Sequence, residues 1–205
     1  MSKKPIVVFE GVEGSGKTLH INHLSSFLKK RKIKFIKIRE PGGHFNSEKI
    51  RNLILNNKSK FHKNTDLLLY LAARNENLQN LLIKNYKKKV ILIDRFTDST
   101  IAYQHYGMDI NKNFINTINS FLLNNFITDL TFLNLVSTKN MKSRLLKRKK
   151  LNRYDKFKMS FYKKVQKGYL KIYSKNKKKY KIIDSNKSID TNKKIIVSEF
   201  KKLIK

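Results

Sequence analysis

The 205-residue sequence contains no cysteine and no tryptophan, two prolines, seven glycines and only 14 acidic residues against 47 basic ones. Without cysteine there is no disulfide scaffold, no thiolate metal site and no thiol nucleophile. No apolar run approaches the ~20 residues that span a bilayer, and Ile6–Phe9 is too short for the core of a signal peptide. These absences lead us to expect a soluble, cytoplasmic protein. Hydrophobic residues make up 40% and aromatics 11%, too much for a disordered tail. The length fits one domain, 1–205.

The net charge of +33 first suggests a polyanion partner such as nucleic acid. The charge is nevertheless spread along the chain, with no concentrated basic arm and no interleaved aromatics, so no specific nucleic-acid partner is expected. Lysine, asparagine and isoleucine are all abundant, a pattern of coding bias. Scarce residue types then carry more information. Only eight cations are arginine: positions 31, 39, 51, 74, 95, 144, 148 and 153. Each is a candidate for work lysine does badly, such as bidentate phosphate recognition. Five of the seven glycines fall in two clusters, Gly11, Gly14 and Gly16, then Gly42 and Gly43, marking unusual backbone or close approach to a ligand.

Short apolar runs at 6–9, 33–38, 90–93, 130–135 and 180–183 read as strands. Helical patterns fall at about 17–30, 47–56, 65–86, 98–105, 112–125 and 156–175, with a basic helical stretch after the fourth strand and a final helix. This alternation predicts an α/β fold, a parallel five-stranded sheet flanked by helices. Ligands of such sheets sit beyond the carboxyl ends of the strands, where the glycine clusters and Asp94-Arg95 fall.

Gly11-Val12-Glu13-Gly14-Ser15-Gly16-Lys17-Thr18 fits the P-loop pattern G-x-x-x-x-G-K-[ST] at every fixed position, between a predicted strand and a predicted helix. Its backbone N–H groups would cradle ATP phosphates. Lys17 would reach the β- and γ-phosphates, and Thr18 would ligate Mg²⁺. Asp94, ending an apolar strand, is a Walker-B-like candidate for the same metal; the plainer alternative is a carboxylate capping a turn.

These residues resemble the thymidylate kinase family, which phosphorylates dTMP to dTDP with ATP. The resemblance is carried by Phe9–Thr18, by Arg39-Glu40-Pro41-Gly42-Gly43 continued by Glu48–Arg51, by Leu67–Arg74, and above all by Asp94-Arg95-Phe96-Thr97-Asp98-Ser99-Thr100-Ile101-Ala102-Tyr103-Gln104. It implies a P-loop nucleotide kinase fold and a homodimer. It also implies that Tyr70 stacks on thymine, that Arg74 holds the acceptor near its phosphate, and that Arg39 and Gln104 belong to the dTMP pocket. Glu13 would meet the sugar 3′-OH or the phosphate network, Arg95 would bridge donor and acceptor phosphates, Thr100 would face the base edge, and Tyr103 would lie under the sugar. On the residues alone, Tyr70 could instead be core and Thr100 a surface hydroxyl. A lid is expected at about 144–156. Because position 14 is glycine, the catalytic arginine would come from the lid, from Arg148 or Arg153, although 142–150 also reads as a solvated basic helix. Asn152 and Asp155 stand where the family usually has Asp and Glu, and Asn134 where an Asp usually ends the fourth strand. A kinase of another nucleotide and a nucleic-acid-binding P-loop protein are the rival readings.

Overall fold

Strand β1 (Ile6–Glu10) is buried along its whole length, and its alternate side chains feed two different cores. Val7 and Phe9 pack with Ile21, Leu24 and Leu28 of helix α1 (Lys17–Lys30) and with Ile196 and Phe200 of helix α9 (Ile189–Leu203). Ile6 and Val8 face the other way, toward Leu78 and Leu82. This is the period-2 alternation of a strand covered on both faces. Each fully buried large side chain contributes about 1.5–3 kcal/mol relative to exposure.

The computed structural model describes residues 4–204. Five strands form one parallel sheet in the order β2-β3-β1-β4-β5. The others are β2 (Phe35–Arg39), β3 (Val90–Asp94), β4 (Leu130–Leu135) and β5 (Tyr180–Asp184). The chain leaves β1 for β2, returns through β3 and crosses β1 to reach β4. That reversal opens a crevice at the carboxyl end of β1, the standard ligand position in such sheets.

Helices α2 (Phe45–Leu55) and α3 (Lys63–Asn77) follow β2. The single helix expected at 65–86 is in fact α3, a π-helical turn (Leu78–Leu82) and the short α4 (Ile83–Asn85). Likewise, the helix expected at 98–105 is α5 (Thr97–Thr100) followed by a π-helical turn (Ile101–Gly107). Helix α6 (Lys112–Leu123) starts on Asn111, whose side chain accepts from Asn113 N and Phe114 N, and stops at Asn124 with a left-handed φ of 38°. Helix α7 (Thr138–Leu146) is capped by Ser137. The expected 156–175 helix starts later, as α8 (Met159–Lys175), because Arg153–Lys156 form a separate 3₁₀ turn.

Candidate active site

The carboxyl ends of β1, β2 and β3 open into a cleft of about 530 Å³. It is lined by Glu13, Lys17, Thr18, Arg39, Tyr70, Arg74, Asp94, Arg95, Thr100, Tyr103, Gln104 and Arg148. Residues spread over most of the chain length therefore meet in one place. Of the residues singled out from sequence, Arg153 is the functional arginine that does not line it.

The loop Gly11–Thr18 wraps the end of β1. Gly11 has φ 138°, and a Cβ there would stand 2.3 Å from the Asn134 carbonyl oxygen of β4, so only glycine lets the loop pass. The outward carbonyls are held from behind: Arg144 Nη1 donates to Gly14 O at 2.8 Å and Ser185 Oγ to Ser15 O at 2.6 Å. The first N–H groups of α1 have no intrahelical acceptor and carry the positive end of the helix dipole. This geometry suits an anion.

Lys17 Nζ donates to Gly11 O and Val12 O, both at 2.9 Å. Burial, followed by the neighbouring Arg95 charge, lowers its pKa to about 8. Thr18 Oγ1 donates to Asp94 Oδ2 at 3.2 Å. These two adjacent hard oxygens fit Mg²⁺, which takes few protein ligands and completes its shell with water and substrate phosphates.

Arg95 follows β3 with φ 68°, a left-handed conformation that costs a non-glycine residue about 1–2 kcal/mol and persists only where surroundings over-determine it. Its N–H donates to Phe9 O at 2.9 Å, Nη1 to Gly11 O at 2.9 Å and Nη2 to Glu13 Oε1 at 2.8 Å, and the guanidinium lies over the Tyr103 ring. Burial works against its charge, but Tyr103, Glu13, Tyr169 and Asp94 together raise its pKa well above normal. Tyr103 OH donates to the second Glu13 oxygen. Beneath them Glu10 accepts from Phe96 N, Ser99 N, Ser99 Oγ and Tyr169 OH, which ties the Asp-Arg turn to β1.

The far end of the cleft is organised around Arg74 of α3, which is 2% exposed. Nε donates to Glu40 Oε2 at 2.8 Å, Nη1 to Asn119 Oδ1 at 2.6 Å and Nη2 to Thr100 Oγ1 at 2.9 Å. Thr100 is thus no surface hydroxyl; it is buried against Arg74. Gln104 Nε2 and Glu40 Oε1 are buried without a partner, polar atoms that a ligand would satisfy. Tyr70 and Tyr103 both stand edge-on or tilted to Tyr154, forming an aromatic wall.

A sequence model of the family described as Thymidylate kinase matches residues 9–196. This chain belongs to the thymidylate kinase family. It is 38% identical to the thymidylate kinase of Thermosipho africanus over 97% of this chain and 96% of that one. It is equally identical to that of Acholeplasma laidlawii, over 96% and 98%. The crystal structure of thymidylate kinase from Ehrlichia chaffeensis superposes with a TM-score of 0.80 at 27% identity, covering 98% of this chain and 99% of that one.

Set beside the family expectations, three positions stand out. Arg74, expected near the acceptor phosphate, lines the same cleft as Lys17 and Thr18 and is tethered there to Glu40, Asn119 and Thr100. Arg153, expected among the catalytic cations, turns out of the cleft: Nη2 donates to Asp66 Oδ1 at 2.6 Å and Nε to Ile54 O at 3.0 Å. Its neighbour Asn152 accepts from Tyr154 N and Asp155 N while Asp155 accepts from Asn152 N, a capping box that orients the turn. Asp155 also pairs with Arg148. Asp155 therefore supplies a carboxylate in the lid, while Asn152 contributes only neutral bonds to the backbone. Asn134, the third, faces the back of the P-loop, where Oδ1 lies 2.6 Å from His20 Nδ1 and Nδ2 donates to Glu10 O at 3.1 Å.

Sequence reasoning assigned no site role to Arg51, Glu40 or Glu48. All three line the cleft. Arg39 pairs with Glu48 at 3.0 Å, and Arg51 donates to Pro41 O. Burial, then the Arg39 charge, lowers the Arg51 pKa. The scarcity of arginine was a signal available for Arg51; nothing in the local sequence pointed to Glu40 as the partner of Arg74.

Proposed function

We propose that this protein transfers the γ-phosphoryl group of ATP to dTMP. The observation that carries this reading is the convergence of Lys17, Arg39, Arg51, Arg95 and Arg148 on one cleft, with Lys17 and Arg51 both held below their ordinary pKa. Burial is the larger cause in both, and the Arg95 charge beside Lys17 and the Arg39 charge beside Arg51 add to it, so an entering polyanion would relieve both. Two nucleotides meeting phosphate to phosphate are such a polyanion.

In this reading the P-loop, Gly11, Val12, Glu13, Gly14, Ser15, Gly16, Lys17 and Thr18, binds the ATP phosphates, with Thr18 and Asp94 holding Mg²⁺. The metal supplies charge neutralisation on the donor phosphates when bound. Lys17 swings from the Gly11 and Val12 carbonyls onto the migrating phosphate. Arg95 and Arg148 neutralise charge that spreads over its equatorial oxygens, through guanidinium donors placed beforehand. Arg39 and Arg51 hold the acceptor phosphate. Tyr70 stacks on thymine, while Arg74, Thr100 and Gln104 meet the base edge. Tyr103 and Glu13, bonded to each other, border the sugar. Arg153 acts at one remove, anchoring the lid turn to α2 and α3.

The chain would work as a homodimer in the cytoplasm. Phe45, Leu53, Leu68, Phe114 and Phe121 are exposed apolar residues on α2, α3 and α6, which supports the dimer reading. Among the described residues no helix is long and apolar enough to cross a membrane. The test is ATP-dependent phosphorylation measured across dTMP, dUMP, UMP, CMP and GMP. A kcat/KM highest for dTMP is expected; a ribonucleotide preferred over dTMP would overturn the assignment.

A further inference from the structure

Arg74 has five N–H donors and no acceptor. Three are spent, on Glu40, Asn119 and Thr100. The guanidinium is fixed from three sides by residues of three separate segments. Thr100 and Glu40 line the cleft beside it. Asn119 does not; it lies in α6, behind the site, and is 5% exposed. The orientation of its amide is settled by its partner, because a flipped amide would set N–H against N–H. Asn119 Oδ1 at 2.6 Å from Nη1 is the shortest of the three contacts.

We infer that Asn119 is a positioning residue for base recognition: it orients Arg74 so that the remaining N–H groups present donors, not space, to the base. This rests on the reading of the cleft as a dTMP site. Gln104 Nε2 is a further unpartnered donor at this end of the cleft, and Glu40 Oε1 an unpartnered acceptor beside it. A pyrimidine with a carbonyl at C4 satisfies such a site. Cytosine puts an amino group there, donor against donor, and leaves buried groups unpaired. Discrimination of this kind depends on the guanidinium being held still. Asn119 supplies the constraint that neither cleft wall provides, since Glu40 grips only the Nε side and Thr100 only Nη2.

The test compares kcat/KM for dTMP and dCMP in wild type, Asn119→Leu and Asn119→Asp. Leucine keeps the branched shape and removes the acceptor; aspartate keeps an acceptor facing the cation. We expect Asn119→Leu to raise KM for dTMP about tenfold, with KM for ATP unchanged, and to narrow the dTMP-to-dCMP ratio by a similar factor. Asn119→Asp should restore the ratio. If Asn119→Leu does not fold, Asn119→Ser, whose hydroxyl is too short to reach Arg74, carries the same expectation. A folded variant that slows both substrates equally overturns the inference and leaves Asn119 a packing residue. Absence of dTMP turnover in wild type overturns the acceptor reading and this inference with it; turnover with an unchanged ratio overturns this inference alone.

Discussion

Removing the Arg153 guanidinium should cost stability before it costs chemistry. In Arg153→Ala, Asp66, whose side chain is 5% exposed in the intact pair, loses its ionic partner. Ile54 O loses its donor, and the stacking of the guanidinium over Phe61 and Tyr154 goes with it. Breaking a fully buried pair by deleting one member costs about 3–5 kcal/mol. Two features reduce that here: the Arg153 side chain is 16% exposed, and Tyr154 OH still donates to Asp66 at 3.3 Å. We therefore expect a loss of roughly 2–3 kcal/mol, equivalent to a fall in Tm of roughly 5–10 °C for a chain of this size. Equilibrium urea unfolding of Arg153→Ala, Asp66→Asn and the double variant reads the coupling directly, because two groups in contact are non-additive. The single costs should exceed the additional cost in the double variant. Since Arg153 does not line the cleft, Arg153→Lys should hold kcat within about threefold at saturating substrates, the charge being kept and only the fork lost. A hundredfold loss of kcat with an unchanged unfolding midpoint would refute this reasoning and return Arg153 to the reacting phosphates.

Three other perturbations probe the cleft. Lys17→Met should lower kcat by roughly 10² or more, the scale of a lost preorganised electrostatic contact; near-normal turnover in the folded variant would remove the P-loop from the mechanism. The lowered Lys17 pKa, about 8 against an unfolded 10.5, means the unfolded chain holds a proton in that window that the folded chain lacks, so the Lys17 contribution to stability rises with pH from 8 toward 10.5. ATP phosphates restore the charge, so calorimetry at pH 9 in buffers of different ionisation enthalpy should show proton uptake on ATP binding that Lys17→Met abolishes; equal uptake by both proteins would contradict it. Arg148→Lys should reduce kcat by roughly 10–100-fold with little change in dTMP affinity, because an arginine at transferring phosphate works through its planar fork; full activity would exclude it as the lid cation. Tyr103→Ala should narrow the preference for dTMP over its ribose counterpart as well as slow dTMP turnover, and an unchanged ratio would assign the ring to packing alone.

The parts of this architecture legible in the sequence are those whose signal is local. Four-residue apolar runs bounded by glycine or by charge became β1 and β3, and the P-loop announced itself through glycines that include Gly11, which is needed where the backbone passes the Asn134 carbonyl. The π-helical turns were not legible. Periodicity reads 98–105 as a regular helix, whereas Ile101–Gly107 form a π-helical turn that carries Tyr103 and Gln104 at the cleft. What selects the wide turn is tertiary: Tyr103 must reach Glu13 of the P-loop while Gly107 lies hard against Phe161 of α8.

The arginines show the same boundary from the other side. In a chain that uses lysine as its default cation, scarcity marked eight arginines, of which Arg39, Arg51, Arg74, Arg95 and Arg148 line the cleft. Scarcity identifies the need for a rigid, many-donor cation; it says nothing about which acceptor the fork meets. Arg153 meets a carboxylate of α3, Arg144 a P-loop carbonyl, and Arg31 lies over the Phe27 ring at the end of α1. Asp66 is 87 residues away from Arg153 in sequence, so no spacing rule could pair them. The lid arginines look alike in sequence because the capping box at Asn152–Asp155, not the arginines themselves, decides their directions: Arg148 pairs with the boxed Asp155 on the cleft side, and Arg153, the first residue inside the turn, is left facing α3. A substitution that breaks the box while sparing both arginines would therefore scramble the lid as thoroughly as removing either cation.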